Sequence, residues 1–189
     1  MKIGFFGGTF DPIHVGHLNL ALQLSESEGL DEVIFSPAYC SPFKEARPPV
    51  ASGEDRLEMV RLAIQDISRF RVTDYEVRKE VPSYTIDAIR HFAKNSPAFF
   101  HLILSEESAH HFFEWKEADL LLHKAFPLIG VRSFSQEVPE ALRAGVREIR
   151  AMDISSTDIR DRLQQGLYSG HLVPHAVLSY IHKRRLYQQ

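Results

Sequence analysis

The chain of 189 residues has a single cysteine, Cys40, so it cannot close a disulfide within itself and a cross-linked scaffold is excluded. It also lacks any long apolar run. The most hydrophobic stretches, Ala98 to Leu104 and Ala125 to Val131, fall far short of the ~20 residues that a helix needs to cross a bilayer. The apolar run from Ile3 to Phe6 is cut off by Gly7-Gly8 and then Asp11, too early for a secretion signal, so the expectation is a soluble, cytoplasmic protein. An excess of one charge is missing as well: 22 Lys and Arg face 25 Asp and Glu, a formal net charge of −3. Such a chain shows no electrostatic footprint for nucleic acid or an anionic membrane, and neither is expected as a partner. Ten glycines and ten prolines are too few for a collagen-like or low-complexity chain.

What is present is a regular alternation of strand and helix. Lys2 to Phe6, Glu32 to Phe35, Phe70 to Val72, Ala98 to Leu104 and Ala125 to Val131 read as short buried strands, with a weaker one at Val146 to Ile149. Between and after them come helical patterns. They run over Val15 to Ser27, from a Ser52/Asp55 capping box through Ile64, over Ser83 to Asn95 (also capped), Ser105 to Lys124 in two pieces around Trp115, Ser155 to Gln165, and Val173 to Tyr187. The order implies an α/β fold, one doubly wound Rossmann-like domain over 1–189, mostly parallel, with helices on both faces. The loop 37–52, rich in proline, is long enough to suggest a functional segment.

The strand exit Gly7-Gly8-Thr9-Phe10-Asp11-Pro12-Ile13-His14-Val15-Gly16-His17 is the most informative stretch. Ligands of doubly wound sheets sit beyond the strands' C-terminal ends, and a helix starting near His14 aims free N–H groups at an anion. His14 and His17, three apart, share one helix face. Neither a G-x-G-x-x-G fingerprint nor a P-loop is present, and no metal-ligand motif accompanies the histidines, so no protein-held metal is expected. A second stretch, Ile154-Ser155-Ser156-Thr157-Asp158-Ile159-Arg160, reads as a helix start with three hydroxyls and an arginine one turn in. Those groups suit a polyphosphate, and they equally suit plain helix capping.

Gly7 to His17 resembles the T/HxGH signature of the nucleotidyltransferase superfamily, and GGTFDPIHxGH is similar to nicotinate-nucleotide adenylyltransferases in particular. Ser155 to Arg160 resembles the superfamily's ISSTxxR signature. The resemblance implies transfer of AMP from ATP to nicotinate mononucleotide, giving deamido-NAD and pyrophosphate, as a step of NAD biosynthesis. It implies His14, His17 and Arg160 as catalytic residues. An ATP site would comprise Gly8, Thr9, Phe10, His14, His17, Glu107, Arg132, Ser155, Ser156, Thr157 and Arg160. Acceptor contacts would come from Lys44 in the Ser41-Pro42-Phe43-Lys44 segment, from Tyr84 and Thr85 in Ser83-Tyr84-Thr85-Ile86-Asp87, and from Trp115, which by composition alone reads as a core anchor. Mg²⁺ would be brought with ATP. The chain departs from the family at Ser105-Glu106-Glu107, in place of G-x-D, and at Ser133-Phe134 after Arg132. Rival readings are a different phosphate acceptor, nicotinamide mononucleotide or phosphopantetheine, and a nucleotide-binding relative weakened in catalysis. Monomer and homo-oligomer both remain open.

Overall fold

A computed structural model describes residues 1–44, 48–95, 97–131 and 138–188. Six strands form one sheet: β1 (Lys2–Gly8), β2 (Glu32–Pro37), β3 (Phe70–Val72), β4 (Phe99–Ser105), β5 (Ala125–Val131) and β6 (Val146–Glu148). Their order is β3-β2-β1-β4-β5-β6 and every pairing is parallel. That is the doubly wound order, in which the chain reverses direction across the sheet between β1 and β4. The register sets Phe5 opposite Ile34 on one side and Leu102 on the other.

Alternation along the strands feeds two separate cores. Phe6, Val33, Phe35, Ile103 and Leu128 face one side, where they meet α1 (Val15–Glu28), α2 (Gly53–Ile64), α6 (Ser156–Gln164) and α7 (His175–Arg184). Ile3, Phe5, Ile34, Leu102 and Ile129 face the other, against α3 (Thr85–Asn95), α4 (Glu106–His110) and α5 (Ala118–Lys124). Both faces of the central strands are therefore dry, which is why those strands read as unbroken apolar runs.

The expected Ser52 cap is present: Ser52 Oγ accepts from Asp55 N–H at 3.1 Å and donates to Asp55 Oδ2 at 2.7 Å. The expected cap at Ser83 is replaced by something else. The helix opens at Thr85, and Ser83 Oγ accepts from Tyr39 N–H at 3.0 Å, so the hydroxyl ties the β2 exit to the α3 entrance. The helix over 105–124 is interrupted as the sequence indicates, with a 3₁₀ turn at Phe112–Glu114 and the left-handed Glu117 between α4 and α5. Among the described residues no helix is long and apolar enough to cross a membrane.

Candidate active site

The C-terminal ends of β1 and β4, next to the crossing point, border two adjoining cavities of about 1170 and 500 Å³. Gly7, Gly8, Thr9, Glu107 and His111 line both. The larger takes in Phe10, His14, His17 and the start of α6; the smaller takes in Ser83, Tyr84, Thr85 and Trp115.

His14 is the N-cap of α1, and the cap is reciprocal. His14 Nδ1 accepts from His17 N–H and His17 Nδ1 accepts from His14 N–H, each at 3.3 Å. With Nδ1 accepting in both rings, the ring N–H of each is on Nε2. The rings stack with centroids 3.6 Å apart. A Cβ at residue 16 would lie 3.0 Å from His14 Nδ1, so Gly16 is what lets the imidazole fold over its own helix start. Burial pushes His14 down to about 4, which makes it neutral at pH 7. In that state it can offer a hydrogen bond and carries no positive charge. His17 is half-buried and packs edge-on to Phe10, centroids 5.1 Å apart.

Gly8 has a reason of its own. A Cβ there would meet the Phe10 ring at 2.9 Å, and Phe10 adopts a positive φ of 49° to bring its ring back over the strand end. The missing Cβ thus makes room for Phe10, which is 2% exposed.

The Ser155–Arg160 stretch divides its labour. Ser155 caps α6, accepting from Asp158 N–H at 3.0 Å, as plain capping would have it. Ser156 Oγ donates to the Pro12 carbonyl at 2.9 Å, and Arg160 Nη1 donates to the Asp11 carbonyl at 2.7 Å. The start of α6 is thereby fastened to the loop preceding α1, so two helix N-termini border one cavity. Arg160 Nη2 also donates to Thr157 Oγ1 at 3.1 Å, which orients the guanidinium fork.

Of the residues expected to contact the acceptor, Tyr84, Thr85 and Trp115 share one cavity, and Lys116 Nζ stands 4.5 Å from the Tyr84 ring centroid. Trp115 is half-buried, with one side on Phe112 at 5.5 Å, so it serves as core anchor and as cavity wall at once. Ser41, Pro42 and Phe43 line the same cavity; Lys44 closes their 3₁₀ turn, and its side chain lies outside the described residues, as does the whole of Arg132. Ser105, the departure from G-x-D, earns a role as the N-cap of α4, accepting from Ser108 N–H at 3.2 Å. Glu107 borders both cavities.

Three supports escaped sequence reading. The Asp11 carboxylate accepts from Val50 and Ala51 N–H at 2.7 and 3.2 Å and from Tyr187 Oη–H at 2.6 Å. Arg56 is 1% exposed and donates to the carbonyls of Thr9, Ala38, Tyr39 and Ala51 at 2.6 to 3.2 Å. Glu76 lies buried in the wall of the smaller cavity. Arg56 had one legible signal, its place on the apolar stripe of α2 with Met59, Val60 and Ala63.

Residues 5–162 match the cytidylyltransferase-like family. A protein of Methylacidiphilum infernorum named as a probable nicotinate-nucleotide adenylyltransferase is 37% identical over 188 residues, covering 98% of this chain and 92% of its own. One of the same name from Exiguobacterium sibiricum is 38% identical over 190 residues, covering 99% of each. In structure, the nicotinic acid mononucleotide adenylyltransferase of Plasmodium falciparum, solved in complex with NaAD, superposes with a TM-score of 0.81 at 20% identity, over 98% of this chain and 97% of that one.

Proposed function

The chain belongs to the nicotinate-nucleotide adenylyltransferase family, and from that premise we propose that it transfers AMP from ATP to nicotinate mononucleotide, releasing pyrophosphate. The observation that carries this reading is the junction of the two cavities. One is bordered by the N-termini of α1 and α6 with His14, His17, Thr157 and Arg160; the other is walled by Tyr84, Thr85 and Trp115; and Gly8 and Thr9 lie between.

In this reading the triphosphate occupies the larger cavity and the pyridine ring stacks in the smaller. The acceptor's phosphate oxygen attacks the α-phosphorus in line, the bond to the bridging oxygen breaks, and pyrophosphate departs. The nucleophile is already an anion, so no covalent enzyme intermediate and no general base is needed. What the protein supplies is position and donors for the charge that moves onto the leaving group. The Nε2–H groups of His14 and His17 suit the transferring phosphates; Arg160 and Thr157 suit the pyrophosphate end, with Ser156 holding α6 in place. Among the described residues no group of three or more His, Cys, Asp or Glu could hold a metal ion, and Mg²⁺ would enter as part of the substrate Mg·ATP, whose phosphate oxygens are hard ligands of the kind it prefers. There it neutralises charge on the phosphates.

The reading is tested by pyrophosphate release from Mg·ATP with nicotinate mononucleotide, nicotinamide mononucleotide and 4′-phosphopantetheine supplied separately. Release that depends on the nicotinate form is expected. Release only with another acceptor would move the specificity, and none with any acceptor would remove the enzymatic reading.

A further inference from the structure

The wall of the smaller cavity contains a buried ionisable side chain to which adenylyl transfer assigns no task. Glu76 stands just before the 3₁₀ turn Val77–Lys79, is 6% exposed, and lines the cavity beside Ser83, Tyr84 and Thr85. Ser36 Oγ–H donates to its carboxyl at 2.5 Å, and the Ser83 hydroxyl supplies a second hydrogen bond. Two hydroxyls replace only part of the water that a carboxylate loses at that depth, and burial pushes Glu76 up to about 7. Lys79 nearby favours its charged form, and Asp87 of α3 opposes it. Glu107, His111 and Glu114 also line the cavity, as does Lys116, which donates to Asp87 at 3.1 Å.

The acceptor proposed above carries a carboxylate on its pyridine ring, so two influences meet in this pocket. The N-terminus of α3 attracts an anion. A charged Glu76, itself buried in the wall, repels one. Protonation removes that repulsion and turns Glu76 into a donor. A ring carboxamide is neutral, and its NH₂ group can donate to the charged carboxylate, so its preference runs the other way.

The geometry points to Glu76 as a specificity-determining residue of the acceptor pocket: protonated, it favours a ring carboxylate, and ionised, it favours a ring carboxamide. This rests on the acceptor assignment made above. It also makes the choice between the two pyridine nucleotides depend on pH, within the one site.

The test is kcat/KM for nicotinate and nicotinamide mononucleotides at saturating Mg·ATP from pH 5.5 to 8.5. Both acceptors carry the same phosphate, so its own ionisation cancels in their ratio. The nicotinate-to-nicotinamide ratio is expected to fall about tenfold or more on passing upward through pH 7. Glu76→Gln, which keeps the shape and removes the charge, should leave the ratio flat at its low-pH value. His111 on the same cavity is the rival source of such a profile. A slope that survives Glu76→Gln and disappears in His111→Asn overturns the assignment. So does a flat ratio in the unsubstituted enzyme, a result that needs no variant to fold and leaves the adenylyltransferase reading standing. No turnover of nicotinate mononucleotide at any pH would overturn the acceptor reading, and this inference with it.

Discussion

Two histidines and a glutamate decide most of what can be tested residue by residue. His17→Ala removes one ordered donor from the larger cavity, where the triphosphate is proposed to bind, and a loss of about 10²–10³ in kcat is expected with an unchanged circular dichroism spectrum. Unchanged turnover would take His17 out of the mechanism. His14 and Glu76 bend stability against pH in opposite directions. For His14 the folded value of about 4 lies below the ordinary 6.5, so the unfolded chain binds the extra proton between them and acidification from 6.5 to 4 removes up to about 3 kcal/mol. For Glu76 the folded value of about 7 lies above the ordinary 4.5, so the folded chain holds the extra proton and raising the pH from 4.5 through 7 removes up to about 3 kcal/mol. In the enzyme as it stands the two slopes oppose each other over most of that window. Denaturation midpoints should separate them. Relative to the unsubstituted chain, His14→Gln should gain stability as the pH falls to 4.5, and Glu76→Gln should gain as it rises to 7.5. Parallel pH curves for all three would contradict both assignments. The histidines were legible because their spacing and place at a strand exit single them out, and the structure brings them together on one cavity. Glu76 was not, because nothing in the sequence distinguishes a buried glutamate before a turn from a solvated one.

At the scale of elements, α6 is the clearest case of a stretch with two uses. Its first hydroxyl caps it, its second braces it against Pro12, and its arginine reaches both Asp11 and the cavity. The planar fork of Arg160 holds the Asp11 carbonyl and Thr157 together, a geometry that the ammonium of lysine cannot reproduce. Arg160→Lys should therefore lower kcat/KM for ATP by about tenfold or more while Tm moves by only a few degrees. An equal loss with the acceptor alone varied, and none with ATP, would place Arg160 elsewhere. The elements themselves were readable wherever burial on both faces leaves an apolar run between turn residues, as at Ile3 to Phe6 and Ala125 to Val131. The Ser83 cap was misread for a physical reason: a serine before a helical pattern signals a cap only if no nearer donor claims its oxygen, and Tyr39 N–H, 44 positions back in the chain, does so.

Over the whole molecule, distant segments are locked onto the loop between β1 and α1 through two buried polar residues. Asp11 gathers residues 50 and 51 and the C-terminal Tyr187, while Arg56 gathers the carbonyls of the β1 exit, the β2 exit and residue 51. Burial and the Asp11 carboxylate hold the Tyr187 hydroxyl well above its ordinary range, so it acts throughout as a donor. Tyr187→Phe should cost about 1–2 kcal/mol, because Asp11 keeps its two N–H partners. Arg56→Met strands four carbonyls and should cost about 3–5 kcal/mol, measured by chemical denaturation. A smaller loss for Arg56 than for Tyr187 would mean that these carbonyls find other donors. Such locks join positions up to 176 residues apart, and sequence spacing carries no trace of them.

The central claim is that the two cavities at the β1 and β4 ends serve one adenylyl transfer to nicotinate mononucleotide. The most direct measurement supplies Mg·ATP with equal concentrations of nicotinate and nicotinamide mononucleotides at pH 6.5 and identifies the dinucleotides formed, with His17→Ala run alongside. The account predicts deamido-NAD as the main product, one pyrophosphate per dinucleotide, and a collapse of both in the variant. NAD as the main product, or a variant as fast as the unsubstituted chain, would contradict it.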